Sequence, residues 1–233
     1  PLAGRGFRTL QPYQHGKPES ELRREYGLND IVKLASNENP LGPSPKALVA
    51  VREALSGLAR YPDGNGFELK TALSVKLGLS TAMLTLGNGS NDVLELAARA
   101  FLTPAHEAVF SEHAFAVYPI VTQAIGATAR VAKANPPDHP MPHGHNPSAI
   151  LELINDRTRI VFIANPNNPT GTWLKTAELE ALLAAIPESV IVVVDEAYVE
   201  YVEAEADCPN ALHWLSRFPN LIVTRTFSKA YGL

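Results

Sequence analysis

Residues that could bind a charged ligand or bond to it covalently follow the aliphatic runs of this sequence. The run at 190–194 leads directly into Asp195 and Tyr198, and the run at 221–223 is followed after a few polar residues by Lys229. A carboxylate at the end of a buried strand needs a cationic partner, because an unpaired buried charge is costly. A lysine in such a place forms a Schiff base readily when its pKa is lowered. A helix cap or structural ion pair for Asp195, and an ordinary exposed position for Lys229, are the alternatives.

Two further segments at strand ends combine turn formers with polar side chains. Residues 165–171 contain two Asn-Pro steps followed by Thr-Gly, which predicts a rigid turn, with cis X-Pro bonds allowed, that fixes an amide side chain. Residues 87–91, Gly-Asn-Gly-Ser-Asn, lead into a predicted helix, and exposed backbone N–H groups at a helix N-terminus bind phosphate. This segment matches neither the dinucleotide-binding pattern nor the P-loop pattern. A plain loop, and capping by Ser90 or Asn91, are the competing interpretations.

These features together match the requirements of one cofactor. They supply a phosphate cradle, a carboxylate, an oriented amide, a phenol and an amine, all at strand ends of one predicted sheet. Pyridoxal 5'-phosphate uses such a set: its phosphate needs N–H and O–H donors, its pyridinium nitrogen an anion, its phenolate oxygen donors, and its aldehyde a lysine. The residue types therefore indicate pyridoxal phosphate chemistry.

The elements that position these residues alternate along the chain. Short aliphatic segments separated by helices predict a parallel sheet covered on both faces, and ligands bind at the carboxyl ends of such strands. Residues 1–43 lack a clear period and indicate an arm or irregular connection, whereas Ser44-Pro45 predicts a helix start. The predicted strands are 84–86, 108–110, 128–132, 159–164, 190–194 and 221–223, and the predicted helices are 47–58, 67–77, 91–101, 117–125, 148–154 and 176–186.

Composition narrows the class of protein. The 233 residues are 45% hydrophobic and 19% charged, which is typical of a folded globular chain. A net charge of −4 argues against a general nucleic-acid-binding protein, which needs a basic face. The single cysteine, Cys208, excludes a disulfide within this chain, and no aliphatic run approaches the roughly 20 residues of a membrane span. We therefore expect a cytoplasmic protein with neither nucleic acid nor membrane as a partner.

A cluster of three histidines, His139, His143 and His145, lies in a proline-rich segment. Imidazoles bind transition metals, but no carboxylate or cysteine is arranged with these three. We interpret the segment as a solvated loop and predict no metal site.

With these motifs in place, the sequence resembles the fold-type I pyridoxal-phosphate aminotransferases. The resemblance rests on residues 165–171, Asn-Pro-Asn-Asn-Pro-Thr-Gly, on 195–198, Asp-Glu-Ala-Tyr, and on 228–233, Ser-Lys-Ala-Tyr-Gly-Leu. Within that family it most resembles the branch that acts on histidinol phosphate. The segments that carry this narrower resemblance are 10–13, 34–43, 61–63 and 87–92.

The resemblance implies a role for each matching residue. Lys229 forms the Schiff base with the cofactor, Asp195 pairs with its protonated pyridine nitrogen, and Asn168 and Tyr198 donate hydrogen bonds to its phenolate oxygen. Phe115 stacks on the ring. The residues implied around the cofactor phosphate are Ser90, Asn91, Thr226 and Ser228.

Three more roles follow from the resemblance and concern the partner subunit and the substrate. Tyr61 reaches the cofactor phosphate of a neighbouring subunit, so the resemblance implies a homodimer. Tyr13 contacts the substrate phosphate, and Asn37 also belongs to the implied substrate site.

The resemblance also implies a fold and a reaction. The fold is α/β, a three-layer αβα arrangement with a mostly parallel sheet, divided into an arm at 1–35, the start of a small domain at 36–58 and a large cofactor-binding domain at 59–233. The reaction is amino-group exchange between L-histidinol phosphate and 2-oxoglutarate, giving glutamate, in histidine biosynthesis. Because the family pattern continues after Leu233 with an arginine that binds the cofactor phosphate, we expect the sequence to be the N-terminal portion of a longer protein.

Three other functions remain open at this point. A phosphothreonine decarboxylase and an aromatic-amino-acid aminotransferase share this fold and the same lysine, aspartate and phosphate cradle. Outside the enzymes, the remaining alternative is an inactive fragment with a binding role.

Overall fold

A computed structural model of the chain describes residues 5–13, 16–202 and 207–233. Its centre is a sheet of five strands in the order β2-β1-β3-β4-β5, and every neighbouring pair is parallel. The strands are β1 (Glu107–Ser111), β2 (Thr128–Ala132), β3 (Thr158–Ala164), β4 (Ile191–Asp195) and β5 (Leu221–Thr224). The chain runs from β1 outward to β2 and returns to β3 on the other side of β1, so the strand order reverses between β1 and β3.

Helices cover both faces of the sheet. The α-helices are α1 (Glu19–Tyr26), α2 (Pro45–Ala54), α3 (Phe67–Leu77), α4 (Gly89–Phe101), α5 (Val117–Ile125), α6 (Pro147–Glu152) and α7 (Thr176–Ala185). Short 3-10 helices occur at Arg5–Thr9, Leu55–Gly57, Thr81–Met83, Val199–Tyr201 and Ala211–Trp214.

The alternation of side chains along β3 shows why two helical layers form. Ile160 and Phe162 belong to one core cluster with residues of α4 and α5, whereas Val161 and Ile163 belong to the other cluster with residues of α6 and α7. Successive residues of a strand point to opposite faces, so a strand that is apolar throughout must be covered twice. The predicted three-layer α/β fold is confirmed.

The helix start predicted at Ser44 is confirmed. Ser44 Oγ accepts the backbone N–H of Ala47 at 3.2 Å, and Pro45 occupies the first turn. A hydroxyl cap satisfies an N–H group that has no partner within the helix. None of the residues of α1, α2 or α3 is buried, so these helices lie outside the core of the sheet.

Two predictions of secondary structure are wrong. Residues 84–86 form no strand, because a strand requires a hydrogen-bonded neighbour and none of the described segments pairs with them. The region 1–43 contains α1, which the turn formers around it conceal. This helix ends at Tyr26, and the left-handed backbone of its C-cap residue, Gly27, brings the Gly27 N–H to the carbonyl of Arg23.

Candidate active site

A cavity of about 1360 Å³ lies at the carboxyl ends of β3, β4 and β5. It is bordered by Ala164, Asp195 and Thr224, the last residues of these strands. Eleven of the twelve residues assigned to a site from the sequence line it: Tyr13, Asn37, Ser90, Asn91, Phe115, Asn168, Asp195, Tyr198, Thr226, Ser228 and Lys229. The twelfth, Tyr61, is fully exposed and lies outside the cavity.

Asp195 is buried at the end of β4 and is surrounded by hydrogen-bond donors. Its Oδ2 accepts the hydroxyl of Tyr118 at 2.9 Å, and its Oδ1 accepts the hydroxyl of Thr224 at 3.0 Å and the N–H of Ala197 at 3.3 Å. Burial raises the pKa of the Asp195 carboxyl, and the three donors oppose that rise.

No lysine, arginine or histidine of the described segments forms an ion pair with Asp195. A buried carboxylate without a cation is expensive. This group therefore fits a cationic ligand such as a protonated pyridine nitrogen.

The turn at 165–171 is built by two of its own asparagines. Asn165 Oδ1 accepts the N–H of Leu174 at 2.7 Å, and Asn167 Nδ2 donates to the carbonyl of His113 at 2.8 Å. Both Asn-Pro bonds in the turn are cis. These contacts fix the backbone on either side of Asn168, whose side chain borders the cavity as predicted.

The N-terminus of α4 offers the anion site that the glycine-rich segment predicted. Helix α4 begins at Gly89, and its cap residue, Asn88, makes no side-chain capping hydrogen bond. The N–H groups of the first turn therefore lack the usual side-chain acceptor and suit a phosphate. Capping by Ser90 or Asn91 is excluded, because both residues lie inside the helix.

Hydroxyl groups from the end of the chain border the same cavity. Thr226 Oγ1 lies 2.7 Å from Ser228 Oγ, and both side chains line the cavity. They add O–H donors to the N–H donors of α4, and the combination is suited to a phosphate dianion.

Lys229 lies beside Tyr198 and under the segment 34–43. Its Nζ is 5.7 Å from the centre of the Tyr198 ring and donates a hydrogen bond to the carbonyl of Ser36 at 3.3 Å. The amide of Asn37 donates to the Tyr198 hydroxyl at 3.0 Å. The segment 34–43 thus covers the lysine, and both Ser36 and Asn37 have positive φ angles of 73° and 52°.

Aromatic side chains also line the cavity. Phe115 contacts Tyr118 edge to face, with ring centroids 5.9 Å apart, and Tyr13 of the arm contacts Phe115 with centroids 6.4 Å apart. The arm therefore brings Tyr13 to the aromatic residue on which the cofactor ring is expected to stack.

The sequence interpretation missed three residues that shape the site: Tyr118, Thr224 and Ser36. Tyr118 lies three residues after Phe115 among the apolar residues Val117, Pro119 and Ile120. A buried tyrosine hydroxyl needs a partner, so the sequence did contain a signal for it. The carbonyl of Ser36 contacts Lys229 through the backbone, which residue type does not reveal.

The interpretation of His145 as part of a solvated loop is wrong. His145 is buried, with Nδ1 2.6 Å from the Ser111 hydroxyl and Nε2 2.7 Å from the carbonyl of Ala164. Burial lowers the pKa of this imidazole, so it stays neutral and links the ends of β1 and β3. The described residues contain no cluster that could hold a metal ion, and none of their helices is long and apolar enough to cross a membrane.

Comparisons with known proteins agree with this geometry. Residues 29–233 match the family described as aminotransferase class I and II. The chain is 61% identical over 232 residues to histidinol-phosphate aminotransferase 2 of Methylococcus capsulatus, covering 100% of this chain and 62% of that protein. It is 58% identical over 234 residues to histidinol-phosphate aminotransferase 2 of Pseudomonas aeruginosa, with the same coverage of 100% and 62%.

The whole chain superposes on part of a solved structure. The histidinol-phosphate aminotransferase of Sinorhizobium meliloti in complex with pyridoxal-5'-phosphate superposes with a TM-score of 0.86 at 27% identity, covering 100% of this chain and 60% of that one. The chain spans about three-fifths of the length of these relatives.

Proposed function

The chain belongs to the class I and II aminotransferases, and from this premise we propose that the protein exchanges an amino group between L-histidinol phosphate and 2-oxoglutarate. The products are imidazole acetol phosphate and glutamate, and the reaction is a step of histidine biosynthesis in the cytoplasm. The observation that carries the proposal is the convergence in one cavity of eleven residues expected from the sequence. The names of the relatives with 61% and 58% identity support the choice of substrate.

The donors and charges of the cavity fit pyridoxal phosphate. Asp195 would hold the ring nitrogen, Asn168 and Tyr198 the phenolate oxygen, and the N-terminus of α4 with Thr226 the phosphate. Lys229 would bind the aldehyde carbon through its amine until the amino group of the substrate takes its place there and frees the lysine amine. When bound, this cofactor supplies an electron sink for the charge left by removal of the substrate α-proton.

The amine of Lys229 is placed to move that proton. We assign it the removal of the α-proton and its return to the neighbouring carbon, as general base and then general acid. Its hydrogen bond to the Ser36 carbonyl, at 3.3 Å, gives the amine a resting position beside the cavity. The anion of Asp195 keeps the ring nitrogen in its protonated form, since a nearby negative charge favours the cation.

The arm and the segment 34–43 supply the substrate side of the cavity. Tyr13 is assigned to the phosphate of the substrate, and its contact with Phe115 places its ring at the cavity wall. Asn37 is assigned to the substrate as well, and its amide is held by the hydroxyl of Tyr198.

The test is a coupled glutamate assay on the full-length protein with 2-oxoglutarate. We expect turnover of histidinol phosphate far above turnover of unphosphorylated histidinol, because the phosphate supplies much of the binding energy. Equal rates for the two would contradict phosphate recognition. Release of carbon dioxide without glutamate would select a phosphothreonine decarboxylase, and faster turnover of phenylalanine would select an aromatic-amino-acid aminotransferase. If the protein does not bind pyridoxal phosphate at all, the remaining alternative is an inactive protein that binds some other partner.

The active form in this proposal is a homodimer. The support is an apolar stripe on α2 and the turn after it, comprising Leu48, Val51, Leu55 and Leu58, which is exposed in the single chain. Tyr61 follows this stripe and is fully exposed, so it is available to a second subunit. Contiguous exposed apolar surface of this kind marks interfaces.

A further inference from the structure

Tyr118 is buried behind the cavity and has no place in the function proposed above. It lies in the first turn of α5 with 0% of its surface exposed. Its ring stacks on Phe162 of β3, with centroids 4.8 Å apart and planes 6° from parallel, and meets the edge of Phe115 at 5.9 Å. The ring is thus fixed on two sides by aromatic groups.

The hydroxyl of Tyr118 is directed at one atom of the site. It donates to Asp195 Oδ2 at 2.9 Å across 77 residues of sequence. Burial and the nearby Asp195 charge raise the pKa of the Tyr118 hydroxyl well above its ordinary value, so it remains a donor at any physiological pH. The other oxygen of Asp195 accepts the hydroxyl of Thr224 at 3.0 Å.

The two hydroxyls come from different secondary-structure elements and donate to different oxygens of the Asp195 carboxylate. Tyr118 belongs to α5, on one face of the sheet, and Thr224 ends β5, the strand beside β4. Two donors at fixed angles define the rotation of the carboxylate plane, and charge-assisted hydrogen bonds of this kind are stronger than neutral ones. A carboxylate fixed before its ligand arrives does not have to reorganise when the ligand binds.

We propose that Tyr118 is a positioning residue that holds the Asp195 carboxylate in the orientation in which it meets the ring nitrogen of the cofactor. The proposal rests on the function proposed above, since it requires that pyridoxal phosphate binds in this cavity. Through its ring, Tyr118 also sets Phe115, the aromatic wall on which the cofactor ring stacks. One side chain therefore aligns the charge and the stacking surface for the same ring.

The test is the variant Tyr118→Phe in the full-length protein, which removes the hydroxyl and keeps the stacked ring. Pyridoxal phosphate is titrated into the cofactor-free protein, and the absorption spectrum of the bound cofactor is recorded. We expect the dissociation constant to rise by about tenfold, the equivalent of one charge-assisted hydrogen bond. We also expect an altered absorption maximum, because the spectrum reports the environment of the ring nitrogen.

The matched control is Thr122→Val on the same helix. The Thr122 hydroxyl is buried and donates to the carbonyl of Tyr118 at 2.7 Å, without contact to Asp195. This variant also loses one buried hydrogen bond, so a loss of thermal stability comparable to that of Tyr118→Phe is expected, with cofactor affinity and spectrum as in the wild type.

A second pair of variants tests the hydrogen bond that Thr224 donates to the other oxygen of Asp195, Oδ1. Thr224→Val should weaken cofactor binding as Tyr118→Phe does, and Thr224→Ser, which keeps the hydroxyl, should restore it. Unchanged affinity and spectrum in Tyr118→Phe, with only a loss of thermal stability, would overturn the positioning role while leaving the proposed function intact. A wild-type protein that binds no pyridoxal phosphate would overturn both.

Discussion

Asp195 is a residue whose chemistry opposes the stability of the protein that carries it. Burial raises the pKa of its carboxyl in the folded chain, and none of the described side chains offsets its charge with a cation. Residues of this kind are retained where a ligand supplies the missing charge. The cofactor-free protein should therefore be destabilised at Asp195, and cofactor binding should relieve the cost.

The pH dependence of unfolding tests this cost. The pKa of Asp195 is higher in the folded chain than in the unfolded chain, so stability falls as the pH rises through the interval between the two values. Below both pKa values the carboxyl is neutral in the folded and the unfolded chain, so its ionisation contributes nothing to the free energy of unfolding. We expect Asp195→Asn to raise the melting temperature of the cofactor-free protein at pH 7 but not at acid pH, as measured by calorimetry.

The same variant should lose activity, because its amide cannot keep the ring nitrogen protonated. An increase in melting temperature at pH 7 that persists unchanged at acid pH would show that the effect does not come from the Asp195 charge.

Replacement of Lys229 tests the proposed mechanism directly. Lys229→Ala should lower transamination by at least about 10²-fold, since a positioned general acid–base group contributes that much or more. Borohydride should attach the cofactor to the wild-type protein at Lys229 and not to the variant, as read by mass spectrometry. Lys133→Ala is the control, because Lys133 is an exposed lysine paired with Glu112. Normal transamination by Lys229→Ala would refute the mechanism.

At the scale of elements, helix α5 joins the arm to the cofactor cavity. Its Gln123 side chain donates to the carbonyl of Gly6 at 3.3 Å and to the hydroxyl of Thr9 at 3.2 Å. The same helix carries Tyr118 behind the cavity. The position of the arm, and with it that of Tyr13, therefore depends on α5.

The close approach of Gly6 to α5 gives a prediction at this scale. A Cβ at position 6 would lie 1.9 Å from the backbone carbonyl oxygen of Gln123, so Gly6→Ala must displace the arm. We expect the KM for histidinol phosphate to rise by about tenfold, or about 1.4 kcal/mol, with pyridoxal phosphate affinity unchanged. Gly64→Ala is the control, since a Cβ there would meet nothing within 4 Å and Gly64 lies outside the exposed stripe on α2. An unchanged KM in Gly6→Ala would show that the arm does not position Tyr13 for the substrate.

For the molecule as a whole, the proposed homodimer would use the stripe on α2 and Tyr61, all of which are exposed in the single chain. A symmetric dimer would place the same stripe of each subunit against its partner. The site would then be incomplete in a single chain, even though eleven of the assigned residues converge within it.

Mixing two inactive variants tests this sharing. If Tyr61 serves the cavity of the partner, a mixed dimer of Tyr61→Ala and Lys229→Ala contains one cavity with both residues intact. Random exchange of subunits in a twofold dimer should restore about a quarter of the wild-type activity. The full-length variants are mixed under conditions that allow subunit exchange and assayed for glutamate formation. No recovery, with exchange shown independently, would show either that Tyr61 serves the cavity of its own subunit or that it serves no cavity.

The layered α/β fold, five of the strands and eleven of the residues that line the cavity were predicted from the sequence. The strands and the polar groups at their ends follow from local properties, since aliphatic runs make covered strands and a parallel sheet brings its carboxyl ends to one edge. The other assigned residues, Tyr13, Asn37 and Phe115 among them, rested on the resemblance to the aminotransferases. The strand predicted at 84–86 failed because pairing needs a neighbour that a local pattern does not reveal. Helix α1 was not predicted because Leu22 is its only aliphatic residue, which gives no apolar periodicity, and because the turn formers Pro18 and Gly27 flank it.

The side chains that complete the site depend on how the whole chain packs, and local sequence patterns do not predict them. The hydroxyl of Tyr118 reaches Asp195 across 77 residues, and His145 joins Ser111 across 34. Such pairs depend on the crossing of helices over the sheet and on the register of its strands, both of which arise from packing of the whole chain. Residue types therefore predicted the chemistry available at the strand ends, and packing determined how each group is held there.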